Sequence, residues 1–307
     1  MTTRIVRFAD PTGAVRTGVA DDAARVRPFT GGPRIADLLR LPVRDLRARV
    51  EAAAAAPPVH DPLLLPPLDG RMEVWAAGVT YERSREARIA ESTVQDVYAK
   101  VYDADRPELF LKSVAWRVVT DDEPIAVRAD SALNVPEPEL GLVVNSAGET
   151  AGYVVVDDVS SRSIEGENPL YLPQAKIYGG STAVSSGIVP VWEIPDPTDL
   201  RIDLVVRRGA GTPYSGTVST KAFHRPPSAL VDHLRAAQPF PDGVILSTGT
   251  GIVPGLDFTL KPGDVVRIDI ESVGTLTNPV APDPSHLEWL VDADERPLVR
   301  AEHRGGR

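Results

Sequence analysis

The chain has 307 residues, 33 of them basic and 43 acidic, giving a formal charge of −10 and a pI near 5.1. An acid excess without a basic run repels phosphate backbones and anionic lipid, so nucleic acid and membrane surfaces are not expected as partners. The 42% hydrophobic content suffices for a sizeable core, and the absence of cysteine excludes disulfides, thiolate-held metals and a cysteine nucleophile. Any metal must be held by oxygen or imidazole.

The first ten residues carry Arg4 and Arg7 and lack the apolar stretch of a signal peptide, and no run approaches the roughly 18 apolar residues that span a bilayer. The expected location is the cytoplasm. Strands are expected at Arg4–Phe8 and Ala14–Val19, followed by helical segments at Ile35–Arg40 and Val43–Ala56. Five prolines between Pro57 and Pro67 make a stiff connector, so residues 1–70 read as a small leading domain. Beyond it, short β-type runs dominate: Val74–Val79, Leu109–Lys112, Ile125–Val127, Leu140–Val144, Tyr153–Val156, Leu204–Arg207, Val244–Ser247 and Val265–Ile270. Helices are expected only near Ser84–Tyr102 and Ser228–Ala237. Strands in runs with few intervening helices point to an α+β, mostly β protein with an antiparallel or mixed sheet. The expected division is 1–70, a second domain over 71–285, and a tail over 286–307.

Two β runs flank the turn-like Asn145-Ser146-Ala147-Gly148-Glu149 and make a hairpin. With its turn centred between Ala147 and Gly148, Asp158 lies opposite Glu137, and Glu139 shares Glu137's side because strand side chains alternate. Like charges on neighbouring strand positions cost roughly 0.2–1 kcal/mol, more when desolvated, unless a proton or cation intervenes. A hard divalent cation, magnesium or manganese, is one remedy. A solvated strand end is the other reading, with Pro136 and Pro138 marking a sheet edge; spacing alone does not separate the two.

Only five basic residues are lysine, Lys100, Lys112, Lys176, Lys221 and Lys261, so arginine supplies most of the surface charge. A lysine in catalytic-looking surroundings is therefore notable, because ammonium can lose its proton when desolvated and guanidinium cannot. Lys176 follows Asp158 by eighteen residues. Glu137-x-Glu139, then Asp158-Val159-Ser160-Ser161-Arg162, then Lys176 resembles the fumarylacetoacetate hydrolase family. Ala77-Gly78-Val79-Thr80-Tyr81, Pro107-Glu108-Leu109-Phe110-Leu111-Lys112, Thr248-Gly249-Thr250-Gly251 and Pro262-Gly263-Asp264 agree with it.

The resemblance implies a mixed β-sandwich or roll with a small α/β N-terminal domain, in a homodimer or homotetramer. It also implies Mg2+, with Mn2+ as the other option, on Glu137, Glu139 and Asp158, and it places Lys176 beside the substrate. Thr250, Ser84, Arg162 and Glu165 are the expected substrate-binding residues. Carbon–carbon hydrolases of the family carry a water-activating histidine where this chain has Ser84. The five histidines (His60, His224, His233, His286 and His303) lie elsewhere, and Glu165 stands where many members have glutamine.

The runs Thr80–Arg88, Val101–Phe110 and Glu167–Lys176 are similar to a dehydratase branch of the family. That branch implies magnesium-dependent conversion of 2-keto-3-deoxy-D-arabinonate, a small 2-keto acid, to 2,5-dioxopentanoate, with loss of the C3 proton and the C4 hydroxyl. Lys176 is then either the base for C3 or a cation on the developing oxyanion, and Glu108 is the acid for the departing hydroxyl. An acylpyruvate-type hydrolase, a 2-keto acid decarboxylase and a non-catalytic keto-acid-binding protein are the competing readings.

Overall fold

A computed structural model describes residues 3–21, 25–91 and 100–305. The leading segment forms β1 (Arg4–Ala9), β2 (Val15–Ala20), β3 (Val26–Pro28), α1 (Ile35–Leu38), α2 (Val43–Ala53) and β4 (Leu63–Leu65). Next come β5 (Glu73–Gly78), α3 (Glu82–Glu91), β6 (Glu108–Val114), β7 (Ile125–Ala126), β8 (Asn134–Val135), β9 (Pro138–Val144) and β10 (Thr150–Asp158). They are followed by β11 (Ser160–Ser161), α4 (Arg162–Glu167), α5 (Leu172–Lys176), β12 (Thr182–Val184) and β13 (Gly187–Pro190). The chain closes with β14 (Arg201–Arg208), β15 (Gly211–Ser219), α6 (Pro227–Ala237), β16 (Val244–Ser247), β17 (Val265–Ile270), β18 (Gly274–Ala281) and α7 (Trp289–Glu295).

The main sheet runs β3-β2-β1-β13-β10-β9-β16-β5-β6, with β4 beside β1 and β12 beside β10. A second sheet runs β15-β14-β17-β18-β7. Two pairs, β16 with β5 and β18 with β7, are parallel, and the others are antiparallel. The sheets are mixed, as expected. Alternation along β9 and β10 decides the layers. Leu140, Leu142 and Val155 join one hydrophobic cluster with Ile202, Leu204, Val266, Ile268 and Leu276 of the second sheet. Val143, Val154 and Val156 turn the other way and pack with Ile35, Leu38 and Leu46 of α1 and α2. Each such apolar side chain contributes about 1.5–3 kcal/mol when fully buried.

The hairpin has the expected register: Gly141 faces Val154, Glu139 faces Val156, and the Asp158 N–H donates to the Glu137 carbonyl at 3.0 Å. The edge reading of the prolines is corrected, because β9 lies between β10 and β16. Pro138 is tolerated as the first residue of its strand, beyond the last β16 partner, where no second neighbour needs its missing N–H. The helix expected over 84–102 begins at Glu82; residues 92–99 of that stretch lie outside the described residues, and 100–103 are helical.

Strands β1 to β4 extend the main sheet, with Ile5 of β1 paired to Ile188 of β13, and α1 and α2 share a core with the hairpin. The C-terminal segment also packs down: Leu287, Trp289 and Leu290 join the inter-sheet core. We retain the 1–70, 71–285 and 286–307 division as a proposal about folding units. One buried ion cluster ties the last unit to the second. Glu123, fully buried, accepts from Arg300 at 2.6 Å, Arg304 at 3.2 Å and the Thr120 N–H at 3.0 Å. Glu123→Ala strands the buried Arg300 guanidinium and is expected to destabilise the protein by about 3–5 kcal/mol, read by denaturant unfolding. A loss below about 1 kcal/mol would contradict it.

Candidate active site and metal centre

β5, β10 and β16 run in one direction and β6 and β9 in the other, so three strand ends and two strand starts meet at one edge of the main sheet. The chain leaves regular pairing there, and its polar side chains line a cavity. All nine residues singled out from the sequence lie on its wall: the expected metal ligands Glu137, Glu139 and Asp158, then Lys176, Glu108, Arg162, Glu165, Thr250 and Ser84.

The three acids converge, each offering an oxygen within 4.8 Å of the other two. Glu139 is buried at the start of β9, and its Oε2 accepts from the Ser247 hydroxyl at 2.6 Å and the Gly249 N–H at 2.7 Å. Gly249 must be glycine: its φ is +89°, and a Cβ would sit 2.0 Å from the Thr80 hydroxyl oxygen. Burial, then the charges of Asp158 and Glu137, push Glu139 well above the ordinary carboxylate range. Burial also raises Asp158, but the ammonium groups of Lys112 and Lys176 outweigh it and hold that carboxyl below its usual value. Asp157, alternating to the opposite side, accepts the Glu137 N–H at 3.0 Å and is pushed up to about 8, chiefly by burial.

Lys176 closes α5 with its side chain buried. Its Nζ donates to Glu137 Oε2 at 2.7 Å, Asp158 Oδ2 at 3.1 Å and the Ser160 hydroxyl at 2.6 Å. Glu165 Oε1 lies 3.9 Å away, and the ring of Phe110 is centred 5.6 Å from the nitrogen. The sequence stretch that carries Lys176 places it by backbone contacts: Pro169 starts a short turn capped by Asn168, whose side chain accepts from the Leu170 N–H at 2.9 Å.

Glu108 begins β6 and lies over Gly78, where a Cβ would meet its carboxylate at 1.9 Å. The next residue, Val79, is buried with φ +54°, a strained conformation for a β-branched side chain, on the cavity wall. Arg162 opens α4 and donates to the Pro254 carbonyl at 2.5 Å, which anchors its guanidinium. Ser84 is spent locally: its hydroxyl donates to the Tyr81 carbonyl at 2.7 Å and accepts the Tyr81 N–H at 3.2 Å. Thr250 accepts the Ile252 N–H at 3.1 Å.

Sequence reasoning assigned no role to Lys112, Ser247 or Gly249. Lys112 is fully buried in β6, its Nζ 2.8 Å from Asp158 Oδ1 and donating to the Val159 carbonyl at 3.0 Å and to that of Lys176. Burial lowers its pKa, with Asp158 opposing. The scarcity of lysine was the one signal that could have found it.

The family model for the fumarylacetoacetate hydrolase C-terminal domain matches residues 73–281, which span every strand end around this cavity. The chain belongs to the fumarylacetoacetate hydrolase family. Within this family, it is 46% identical over 211 residues to a 2-dehydro-3-deoxy-D-arabinonate dehydratase of Saccharolobus solfataricus, covering 67% of this chain and 70% of that protein. It is 45% identical over 206 residues to a probable 2-keto-3-deoxyxylonate dehydratase of Haloferax volcanii, covering 67% and 71%. A solved structure of 2-keto-3-deoxy-D-arabinonate dehydratase complexed with magnesium and 2,5-dioxopentanoate superposes with a TM-score of 0.77 at 35% identity, over 92% of this chain and 99% of that one.

Proposed function

We propose that this family member is a magnesium-dependent hydro-lyase that converts 2-keto-3-deoxy-D-arabinonate to 2,5-dioxopentanoate. One observation carries the reading: an acidic triad able to share an ion, an ammonium touching two of its members, and a serine with a committed hydroxyl where a water-activating histidine is needed for hydrolysis. The relatives named for the same dehydration, and the neighbour holding magnesium with 2,5-dioxopentanoate, support it.

The donor set fits a hard ion, because it is all oxygen and a cation offsets both the burial and the like charges that lift Glu139. Glu137, Glu139 and Asp158 would hold magnesium, which would supply Lewis acidity toward the carbonyl of a 2-keto acid and make its C3 proton more acidic. The chain's own groups do the rest. With three donors aimed at three acceptors, Lys176 is arranged as a cation, so it stabilises the developing oxyanion. Glu165, beside Lys176, takes the C3 proton, and Glu108 gives a proton to the departing C4 hydroxyl; the C3–C4 double bond so formed rearranges to 2,5-dioxopentanoate as C5 and its hydroxyl lose protons and C3 and C4 gain them. Arg162 offers its anchored guanidinium to the substrate's oxygens. No attacking water is required, in accord with Ser84.

The test is product identification by mass spectrometry after incubating the protein and Mg2+ with 2-keto-3-deoxypentonates and with acylpyruvates. Formation of 2,5-dioxopentanoate is expected, and cleavage of acylpyruvates alone would overturn the reading. No helix among the described residues is long and apolar enough to cross a membrane; a cytoplasmic homodimer or homotetramer is the proposed setting, and light scattering distinguishes the two assemblies.

A pH dependence follows from Glu139. Its raised pKa means that in the ion-free site it holds a proton at pH values where an ordinary carboxylate has lost one, and the ion must displace that proton. Mg2+ affinity is therefore expected to rise as pH rises toward that raised pKa, by up to about tenfold per pH unit, with proton release on binding. Calorimetry in buffers of different ionisation enthalpy reads both effects. Affinity that stays flat at every pH above the ordinary carboxylate range would contradict it.

A further inference from the structure

We propose that Lys112 is a positioning residue that restricts Asp158 to single-oxygen coordination and thereby sets the ion selectivity of the site. This rests on the magnesium reading above and extends it to the side chains behind the ligands.

Each of the three carboxylates has one oxygen already claimed by a protein donor. Lys112 lies 2.8 Å from Asp158 Oδ1, the Ser247 hydroxyl and the Gly249 N–H hold Glu139 Oε2, and Lys176 holds Glu137 Oε2. Asp158 Oδ2 stays on the side of the triad, where Lys176 also reaches it at 3.1 Å. Lys112 is fully buried, and besides its ion pair with Asp158 Oδ1 its Nζ donates to the carbonyls of Val159 and Lys176. Asp158 Oδ1 cannot turn toward an ion without leaving a buried ammonium donor unmatched, and a buried charged donor without its partner is costly.

Single-oxygen ligands discriminate between ions of equal charge. Magnesium takes about six oxygens in a strict octahedron, so three protein oxygens leave room for a two-point 2-keto acid and one water. Calcium takes roughly 6–8 oxygens and readily accepts a carboxylate through both of its atoms. A site whose outer oxygens are tied to protein donors denies calcium that option.

The experiment titrates chelator-stripped wild-type protein and Lys112→Met with Mg2+ and with Ca2+ by calorimetry, with circular dichroism checking the fold. In the variant the ratio of Ca2+ to Mg2+ affinity is expected to rise about tenfold, a shift that a purely space-filling lysine would not produce. An unchanged ratio in folded Lys112→Met overturns the proposal. Should that variant not fold, Lys112→Gln, which removes the charge but keeps a polar group within reach of the Val159 carbonyl, carries the same test: a rise of about threefold supports the proposal and an unchanged ratio defeats it. Wild-type protein that binds neither ion overturns the magnesium reading, and this inference with it.

Discussion

Replacing Lys176 by methionine is expected to lower kcat by about 10²–10³-fold while Mg2+ still binds. The side chain is buried, of similar length to methionine, and aimed at two members of the acidic triad, so the change removes charge with little change of volume. Taking a cation away from the carboxylates should leave Mg2+ affinity unchanged or tighter, because the ion then has no rival charge beside Glu137 and Asp158. Lys176→Arg should not rescue turnover, since a planar guanidinium cannot occupy the space of a compact ammonium held between three acceptors. Steady-state kinetics with parallel metal titration separates the two properties. Near-normal kcat in Lys176→Met would remove the residue from the reaction, and lost Mg2+ binding would show that its role is to assemble the site.

Much of this centre was legible in the sequence because it is local. Glu137, Glu139 and Asp158 lie on one hairpin, where a period of two and one turn position fix which side chains share a side. Arg162 and Lys176 follow on the two short helices α4 and α5. The family resemblance then joined Glu108 and Thr250, which no spacing argument links to the hairpin. What escaped notice is what depends on pairing between distant strands. Ser247 meets Glu139 only because β16 lies beside β9, 108 residues away in sequence, and Lys112 reaches Asp158 from β6 across 46 positions.

The missed elements have similar causes. β15 is polar and exposed along most of its length, so it carries no alternating apolar signal, and its strand character comes from pairing with β14. β12 and β13 are three and four residues long, too short for a period to show. The solvated-edge alternative for the acids failed for a topological reason: prolines that read as an edge mark only the first residue of an interior strand.

Glu139→Gln is expected to weaken Mg2+ binding by at least about 100-fold and to abolish turnover at low Mg2+. The amide keeps the size of the carboxyl and can still accept from Ser247 and the Gly249 N–H, so the loss isolates one negative charge in a fully buried ligand. The variant should also lose most of the pH dependence of metal affinity, because the proton that the ion displaces is gone. Retained affinity would mean that Glu139 is a structural acid whose bonds to Ser247 and Gly249 are its whole purpose.

The most direct measurement strips the wild-type protein with a chelator, assays it on 2-keto-3-deoxy-D-arabinonate, and adds Mg2+ back in steps. Dehydration should vanish on stripping and return with saturation at one ion per chain in the wild type but not in Glu139→Gln. Undiminished formation of 2,5-dioxopentanoate by the stripped enzyme would contradict a reaction built on three carboxylates sharing an ion.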